Sequence, residues 1–186
     1  MTKLILVAAP SGAGKSSFVE RICKEESRLE DVITHTTRAM RKGETAGNPY
    51  HFISKEEFTR RVAENYFVEW AHVHVNMYGT SWEGLKSAWD RNKCAIMDID
   101  VQGTATFRAK FPECKTIFIV PPSIDELRRR IEKRDGGKPA DLEVRMQNAE
   151  REMALALTFD VQIVNDDFNA SYAQFKKLIE DWLGPR

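Results

Sequence analysis

The chain has 186 residues, which favours a single domain large enough to bury about 70% of the surface that it exposes when unfolded. Its hydrophobic and charged fractions, 42% and 30%, are typical of a soluble globular protein. Lysine and arginine together number 28, as do aspartate and glutamate, so no overall charge recruits nucleic acid or a membrane surface. Any anionic ligand must therefore be bound by a local cluster of cations.

The cysteines and the apolar runs indicate the cellular location of the protein. Cys23, Cys94 and Cys114 are far apart and show no C-x-x-C spacing, so we expect reduced core thiols and neither a disulfide framework nor a zinc site. The first apolar run is too short for a signal peptide, and no stretch approaches the ~18 apolar residues of a membrane span. We expect a cytoplasmic protein without membrane or nucleic-acid partners, and whether it forms a homodimer is left open.

A phosphate-binding loop is predicted near the start of the chain. An apolar run beginning at Leu4 predicts a strand, and a helical pattern from Ser16 to about Lys24 follows after a loop of small residues. Small residues let backbone N–H groups surround phosphate oxygens, and the start of the helix attracts the same anion. Lys15 is expected to reach the β- and γ-phosphates, and the Ser16 hydroxyl to bind Mg²⁺. The predicted triphosphate site comprises Ala9, Pro10, Ser11, Gly12, Ala13, Gly14, Lys15, Ser16 and Ser17.

A second anion site is indicated by the loop over residues 36–50, which follows a short strand predicted at 32–34. Arg38 and Arg41 suit a phosphate because guanidinium groups bind phosphate oxygens in pairs, and Tyr50 lies nearby in the sequence. A solvated basic surface is the alternative interpretation of these cations.

One acidic residue lies inside an apolar strand. Glu69 falls within the strand predicted over 67–73, and a buried carboxylate needs a partner. That partner is either a structural Arg or Lys, or a ligand that donates paired hydrogen bonds. His72 and His74 share one face of this strand, a pattern more typical of surface groups than of a metal site. Residues 78–81 are predicted to form a turn.

Two further acids mark the end of the next strand. A helix over about 82–92 leads into a strand predicted over 94–100, which places Asp98 and Asp100 on one face at its carboxyl end. Open α/β sheets hold their ligands at this edge, and P-loop enzymes use an acid there to hold Mg²⁺, directly or through water. The alternative for Asp100 is a helix N-cap.

An arginine-rich helical hairpin is predicted after the strand at 116–120. Its first helix opens at Ser123 and carries Arg130 and Arg134 on one face. Residues 135–139 interrupt it, and a polar helix beginning near Asp141 carries Arg145. A solvated hairpin and a mobile lid are equally consistent with this pattern. A strand at 161–164 and a helix at 170–183 complete the chain.

The order of the elements predicts the fold class. Strands that alternate with helices favour an α/β fold, in which a parallel-sheet P-loop core is wrapped by helices on both faces. The basic loop with Glu69 and the arginine hairpin are interpreted as two insertions over the ligand-binding edge of that sheet.

The motifs together resemble guanylate kinase over nearly the whole chain. Beyond the phosphate loop, the resemblance rests on five ordered segments: Thr36-Thr37-Arg38 with Arg41 and Glu44, Tyr78-Gly79-Thr80, Asp98 through Gly103, Pro121-Pro122-Ser123, and Asn165-Asp166-Asp167. It implies transfer of the γ-phosphoryl group of ATP to GMP, and also to dGMP, with Mg²⁺. It also implies one domain, 1–186, with its core at 1–33, 82–124 and 156–186, a nucleoside-monophosphate-binding insertion at 34–81 and a helical lid at 125–155.

The resemblance assigns a role to each site residue. It implies that the GMP phosphate is held by Arg38, Arg41, Tyr50 and Tyr78, and the guanine by Thr34, Glu69, Thr80 and Asp100. It places around the transferred group Lys15, Arg130, Arg134 and Arg145. Asp98 would support the water shell of the metal bound by Ser16, and Asn165 would lie near the adenine of ATP.

Three positions depart from the usual family pattern. Ala9 replaces a glycine, Met40 replaces a proline, and Val75 replaces a glycine before Asn76. The change at Val75 would shift its turn if a positive φ were needed there. Two other functions are compatible with such a sequence: a non-catalytic guanylate kinase-like protein-interaction module, and a related kinase for a sugar phosphate.

Overall fold

The computed structural model describes residues 3–41, 43–73 and 75–185. Its strands, numbered in chain order, are β1 Leu4–Ala8, β2 Leu29–Asp31, β3 His35–Thr36, β4 His51–Phe52, β5 Phe67–Val73, β6 Asn76–Ser81, β7 Cys94–Asp98, β8 Lys115–Val120 and β9 Val161–Val164. The α-helices are α1 Lys15–Glu25, α2 Lys55–Ala63, α3 Trp82–Asp90, α4 Val101–Lys110, α5 Ile124–Asp135, α6 Leu142–Ala154 and α7 Phe168–Leu183.

The centre of the fold is a five-stranded parallel sheet in the order β2-β7-β1-β8-β9. Its central strand, β1, is buried at all five residues, as expected for a strand covered on both faces. Its side chains alternate between two apolar clusters, with Ile5 and Val7 in one and Leu4 and Leu6 in the other. The α/β fold class with a parallel core sheet is therefore confirmed.

Helices supply the remainder of both clusters. The cluster around Ile5 takes side chains from α1, α5, α6 and α7, including Phe18 and Phe175. The cluster around Leu4 takes side chains from α3 and α4, including Leu85 and Phe107. Helices therefore lie on both faces of the sheet, as the sequence predicts.

A second, four-stranded sheet has the order β4-β3-β6-β5. Two predictions were wrong here. Residues 32–34 are not a strand: β2 ends at Asp31, Val32 N–H still donates to the Ile96 carbonyl of β7, and the chain then leaves the main sheet to form β3. Residues 78–81 are not a turn but the last four residues of β6, paired with β5. A Cβ on Gly79 would lie 2.9 Å from the Phe67 ring, so this glycine serves strand packing.

Helix caps set where several elements begin. The hydroxyls of Ser54 and Ser123 accept hydrogen bonds from the third residue of α2 and α5, and the predicted helix start at Ser123 is thus confirmed. The strand predicted over 94–100 ends earlier, at Asp98, because the Asp100 carboxylate caps α4 by accepting from Gly103 N–H at 2.7 Å. The capping alternative for Asp100 is thus confirmed, and its placement on one strand face with Asp98 was wrong.

Candidate active site

The loop between β1 and α1 is shaped to receive an anion. Its two positive φ values, both 94°, fall on Gly12 and Gly14, while Ala9 is buried and is not among the described residues with positive φ. The alanine at this position therefore fits the loop without strain. Gly14 is the N-cap of α1 and offers no side chain, so the first amides of this helix have no side-chain cap.

Neighbouring elements fix the loop against the core. A Cβ on Gly12 would lie 2.8 Å from Ile131 Cγ1 of α5, so only glycine lets this helix approach so closely. Asn165, at the end of β9, is buried and donates a hydrogen bond from Nδ2 to the Ala13 carbonyl at 2.8 Å. Asn165 therefore contacts the back of the loop and does not line the cavity described below.

Three polar side chains meet where the loop faces β7. The sheet register places Val7 beside Asp98, which brings this carboxylate to the start of α1. The Ser16 hydroxyl donates to Asp98 Oδ2 at 2.6 Å, and Lys15 Nζ lies 3.8 Å from the same oxygen. Lys15 also donates to the Ile99 carbonyl at 3.1 Å.

A cavity of about 440 Å³ joins this loop to the second sheet. Of the predicted site residues it is lined by Ala9, Pro10, Ser11, Gly12, Gly14, Lys15, Ser16, Ser17, Thr34, Arg38, Arg41, Tyr50, Glu69, Tyr78, Asp98, Asp100 and Arg134. The predicted residues that do not line it are Ala13, Thr80, Arg130, Arg145 and Asn165. Most of the residues predicted to bind the phosphoryl donor or its acceptor therefore line one cavity.

Glu69 is the buried acid of this cavity. It is 7% exposed and accepts a hydrogen bond from Thr80 Oγ1 at 3.0 Å, so Thr80 acts on the cavity through Glu69. The pKa of Glu69 is raised to about 7, mainly by burial; the Thr80 hydrogen bond opposes this rise and the negative charge of Asp100 adds to it. No lysine or arginine nitrogen of the described residues forms an ion pair with this carboxylate. The interpretation that a structural Arg or Lys pairs with Glu69 is therefore not supported, and this residue lines the cavity.

The basic loop presents two arginines in different ways. Glu44 holds Arg38 through a 2.7 Å ion pair and also accepts from the Arg41 backbone N–H at 2.7 Å. The Arg38 guanidinium lies 5.4 Å from the Tyr50 ring centroid, and Tyr50 packs edge-on against Tyr78. Burial, and then the nearby positive charges of Arg134 and Arg38, lower the pKa of Arg41. Cations gathered this closely favour a bound anion.

The arginines of the α5–α6 hairpin are held mainly by acids of the same hairpin. Asp135 accepts from Arg134 Nε at 2.8 Å and from Arg145 Nη1 at 2.7 Å, and Arg145 also pairs with Asp141. Arg130 pairs with Glu126 at 3.0 Å. Of the three predicted hairpin arginines, only Arg134 reaches the cavity in this conformation.

Five cavity residues were not predicted as site residues: Glu44, Pro49, Val73, Ile99 and Glu152. Glu152, on the last turn of α6, is the most unusual of them. Its pKa is raised to about 7, mainly by burial; the positive charge of Lys15 opposes this rise and the negative charge of Asp100 adds to it. Glu44 stands within a motif of the predicted basic loop, whereas nothing in the sequence around Glu152 marks it.

Several weaker predictions can be placed as well. His74 lies outside the described residues, so the His72–His74 pair is not tested. Val75 is 79% exposed in the turn between β5 and β6, and Met40 is also exposed. Along the described chain, every helix is too short or too polar to cross a bilayer. The cysteines that the structure describes are free thiols, at positions 23, 94 and 114.

A phosphate loop after the first strand of a parallel sheet, facing a basic insertion across one cavity, defines a P-loop phosphotransferase. Comparisons with known proteins identify the family within this class.

The guanylate kinase family model matches residues 1–182. The chain is 63% identical over 182 residues to the guanylate kinase of Bdellovibrio bacteriovorus, covering 98% of each chain. It is 42% identical over 178 residues to that of Sodalis glossinidius, covering 95% of this chain and 86% of that one.

A solved structure agrees with the sequence comparisons. The guanylate kinase of Anaplasma phagocytophilum superposes with a TM-score of 0.78 at 28% identity, covering 96% of this chain and 84% of that one. The chain belongs to the guanylate kinase family, whose known reaction is phosphoryl transfer from ATP to GMP.

Proposed function

We propose that the 440 Å³ cavity is the active site, with ATP phosphates on the loop at 9–17 and GMP between that loop and the second sheet. The single observation that carries this proposal is the shared cavity, because phosphoryl transfer requires donor and acceptor to face each other with water excluded. The proposal includes dGMP as an acceptor, and the division of one domain into a core, a monophosphate-binding region at 34–81 and a lid at 125–155.

Glu69 is proposed to read the guanine. Guanine presents N1–H and its 2-amino group side by side, and one carboxylate can accept both hydrogen bonds. Adenine presents an acceptor at N1, which would leave the buried carboxylate unpaired. Sites built on such hydrogen bonds discriminate by ~10⁴ or more. Burial of Glu69 and its contact with Thr80 support this role, since both fix the carboxylate at the cavity wall. Asp100 and Thr34 line the same cavity.

The phosphate of GMP is assigned to Arg38, Arg41, Tyr50 and Tyr78, which line the basic wall of the cavity. The attacking oxygen belongs to this phosphate and is already ionised near pH 7, because the second pKa of a phosphate monoester is about 6. No general base is therefore required. Catalysis consists of positioning and of charge neutralisation by Lys15 and Arg134.

Mg²⁺ is proposed as the metal of this site, and the residues present fit it. The Ser16 hydroxyl and the Asp98 carboxylate lie 2.6 Å apart at the cavity wall, and oxygen donors are the ligands that Mg²⁺ prefers. Ser16 would bind the ion directly and Asp98 through water. When bound, the ion would neutralise charge on the phosphate oxygens of ATP.

Arg130 and Arg145 are proposed to join the transferred phosphoryl group when the α5–α6 hairpin closes over the cavity. Their present partners, Glu126 and Asp135, are solvent-accessible acids of the same hairpin. Such pairs are weak in water, so the negative charge of bound nucleotides can compete for the arginines. The role of Asn165 near the adenine is proposed on the resemblance alone. A cytoplasmic location stays a prediction, and whether the chain forms a homodimer stays open.

The test is an ADP-formation assay with ATP, Mg²⁺ and a panel of GMP, dGMP, AMP, UMP and a sugar bisphosphate. We expect turnover with the two guanine nucleotides, none with Lys15→Met, and a Glu69→Gln variant that loses most of its preference for GMP over AMP. An unchanged preference in Glu69→Gln would contradict the reading of guanine by Glu69. Turnover of the sugar bisphosphate alone would support the sugar-phosphate kinase, and no turnover with any acceptor would support the interaction module.

A further inference from the structure

The strand that carries Glu69 contains a β-bulge. Between β5 and β6, Phe67 is opposite Ser81 and Glu69 is opposite Thr80, so Val68 is one extra residue on β5. As a result, three consecutive residues of β5, from Phe67 to Glu69, are all buried. A regular strand would turn successive side chains to opposite faces, whereas a bulge redirects one of them. The bulge therefore determines how Glu69 is presented to the cavity.

The last residue of α4 holds this bulge. Lys110 Nζ donates a hydrogen bond to the carbonyl oxygen of Val68, the extra residue. Because a bulge interrupts the ladder of backbone hydrogen bonds, its carbonyl needs such a partner. The Lys110 ammonium also lies 5.9 Å from the Trp82 ring centroid. Lys110 and Glu69 also line a second cavity, of about 270 Å³.

The same helix approaches Glu69 along its length. Asp100 at the start of α4 and Lys110 at its end are the charged groups that act on the Glu69 carboxylate, and Thr80 faces it from β6. Asp100 raises the pKa of Glu69, and Lys110 lowers it. The positive charge thus favours the ionised form, which accepts hydrogen bonds from a ligand.

We propose that Lys110 is a positioning residue for guanine recognition: its hydrogen bond to the Val68 carbonyl fixes the bulge that directs Glu69 into the cavity. This inference rests on the proposed role of Glu69 in binding guanine. Lys110 does not line the cavity assigned to the nucleotides, so its effect is transmitted through Glu69.

The test compares Lys110→Met, which keeps the apolar stem and loses the charge, with Lys110→Arg and with Lys177→Met, an exposed lysine of α7. We expect Lys110→Met to raise KM for GMP roughly five-fold at pH 7, since it loses one hydrogen bond and one partly screened charge. The kcat and the KM for ATP should stay within about two-fold. The acid limb of kcat/KM for GMP should move to higher pH. Lys110→Arg should restore most of the loss, and Lys177→Met should behave as the unmodified protein.

Two results would overturn the inference. One is a KM for GMP in Lys110→Met that matches the Lys177→Met control. The other is an equal rise of KM for ATP and GMP with an unshifted pH profile, which would indicate a general structural role. Glu69→Gln, measured in parallel, separates this inference from the proposed function. If Glu69→Gln leaves KM for GMP unchanged, the guanine-reading role itself fails; if only Lys110→Met has no effect, the positioning role alone fails.

Discussion

The buried carboxyl of Glu69 should make the ligand-free protein less stable as the pH rises. Its pKa is raised from 4.5 to about 7, mainly because burial disfavours the charged form. Between these values the folded state binds a proton that the unfolded state releases, so the free energy of unfolding falls with increasing pH. Glu69→Gln removes this titration while an amide oxygen can still accept the hydrogen bond of Thr80.

The size of the effect follows from the same two values. A shift from 4.5 to about 7 corresponds to about 3 kcal/mol at pH 8, at 1.36 kcal/mol per pKa unit. At pH 5 most of this penalty is absent, because the folded carboxyl is still protonated, and less than about 1 kcal/mol remains. Only 7% of Glu69 is exposed, so solvent screening reduces this estimate little. We therefore expect Glu69→Gln to be more stable than the unmodified protein at pH 8 and nearly equal to it at pH 5.

The assay is urea unfolding of both proteins at pH 5 and pH 8, with Glu113→Gln as an exposed-acid control. Other titrating groups, including Glu152, are common to all variants and cancel in the differences. The control should show no pH-dependent change. A Glu69→Gln variant that is less stable at pH 8, or whose stability difference is the same at both pH values, would refute the argument that this carboxylate is held against an unfavourable burial free energy.

Two further predictions concern the helix behind Glu69 and the hairpin. Gly103→Ala should raise KM for GMP by tenfold or more with little change in KM for ATP, because a Cβ at this position would lie 2.9 Å from Glu69 Oε2 and 2.7 Å from Ile99. Steady-state kinetics check this, with Ala105→Ser as the control. Unchanged GMP kinetics in Gly103→Ala would contradict it. Arg134→Met should lower kcat by more than tenfold, since this cation lines the cavity and is proposed to neutralise transition-state charge. An effect of Arg134→Met on KM alone would make it a binding residue.

The parts of the fold that local patterns specify were predicted well. The phosphate loop follows from an apolar strand, a run of small residues and a helix, and the structure has β1, the loop and α1 in this order. Ser123 starts its helix as predicted, because a cap is set by residues three positions apart. Features that depend only on residues close together in the chain can therefore be predicted from a single sequence.

Features that depend on distant partners were not predictable in the same way. Gly79 was interpreted as part of a turn because glycine often marks one, but it lies in β6, where two phenylalanine rings leave no room for a Cβ. The bulge at Val68 is invisible without the register of β5 against β6. Glu152 enters the cavity only because α6 packs where it does.

The sequence predicted which residues form the candidate site better than it predicted how their side chains are arranged. The resemblance supplies the residues, and seventeen of the predicted positions line one cavity. It does not supply the conformation of the hairpin, where ion pairs with Asp135 and Glu126 hold Arg145 and Arg130 away from the cavity. The sequence also offered capping and ligand binding as alternatives for Asp100, whereas in the structure one carboxylate both caps α4 and lines the cavity.

A crystal structure with GMP and a non-hydrolysable ATP analogue tests the central claim most directly. The account predicts guanine N1 and the 2-amino nitrogen at about 2.8–3.0 Å from the Glu69 carboxylate oxygens, with the β- and γ-phosphates on the backbone amides of residues 11–16. A guanine base bound away from Glu69, or phosphates that leave those amides without contact, would contradict it.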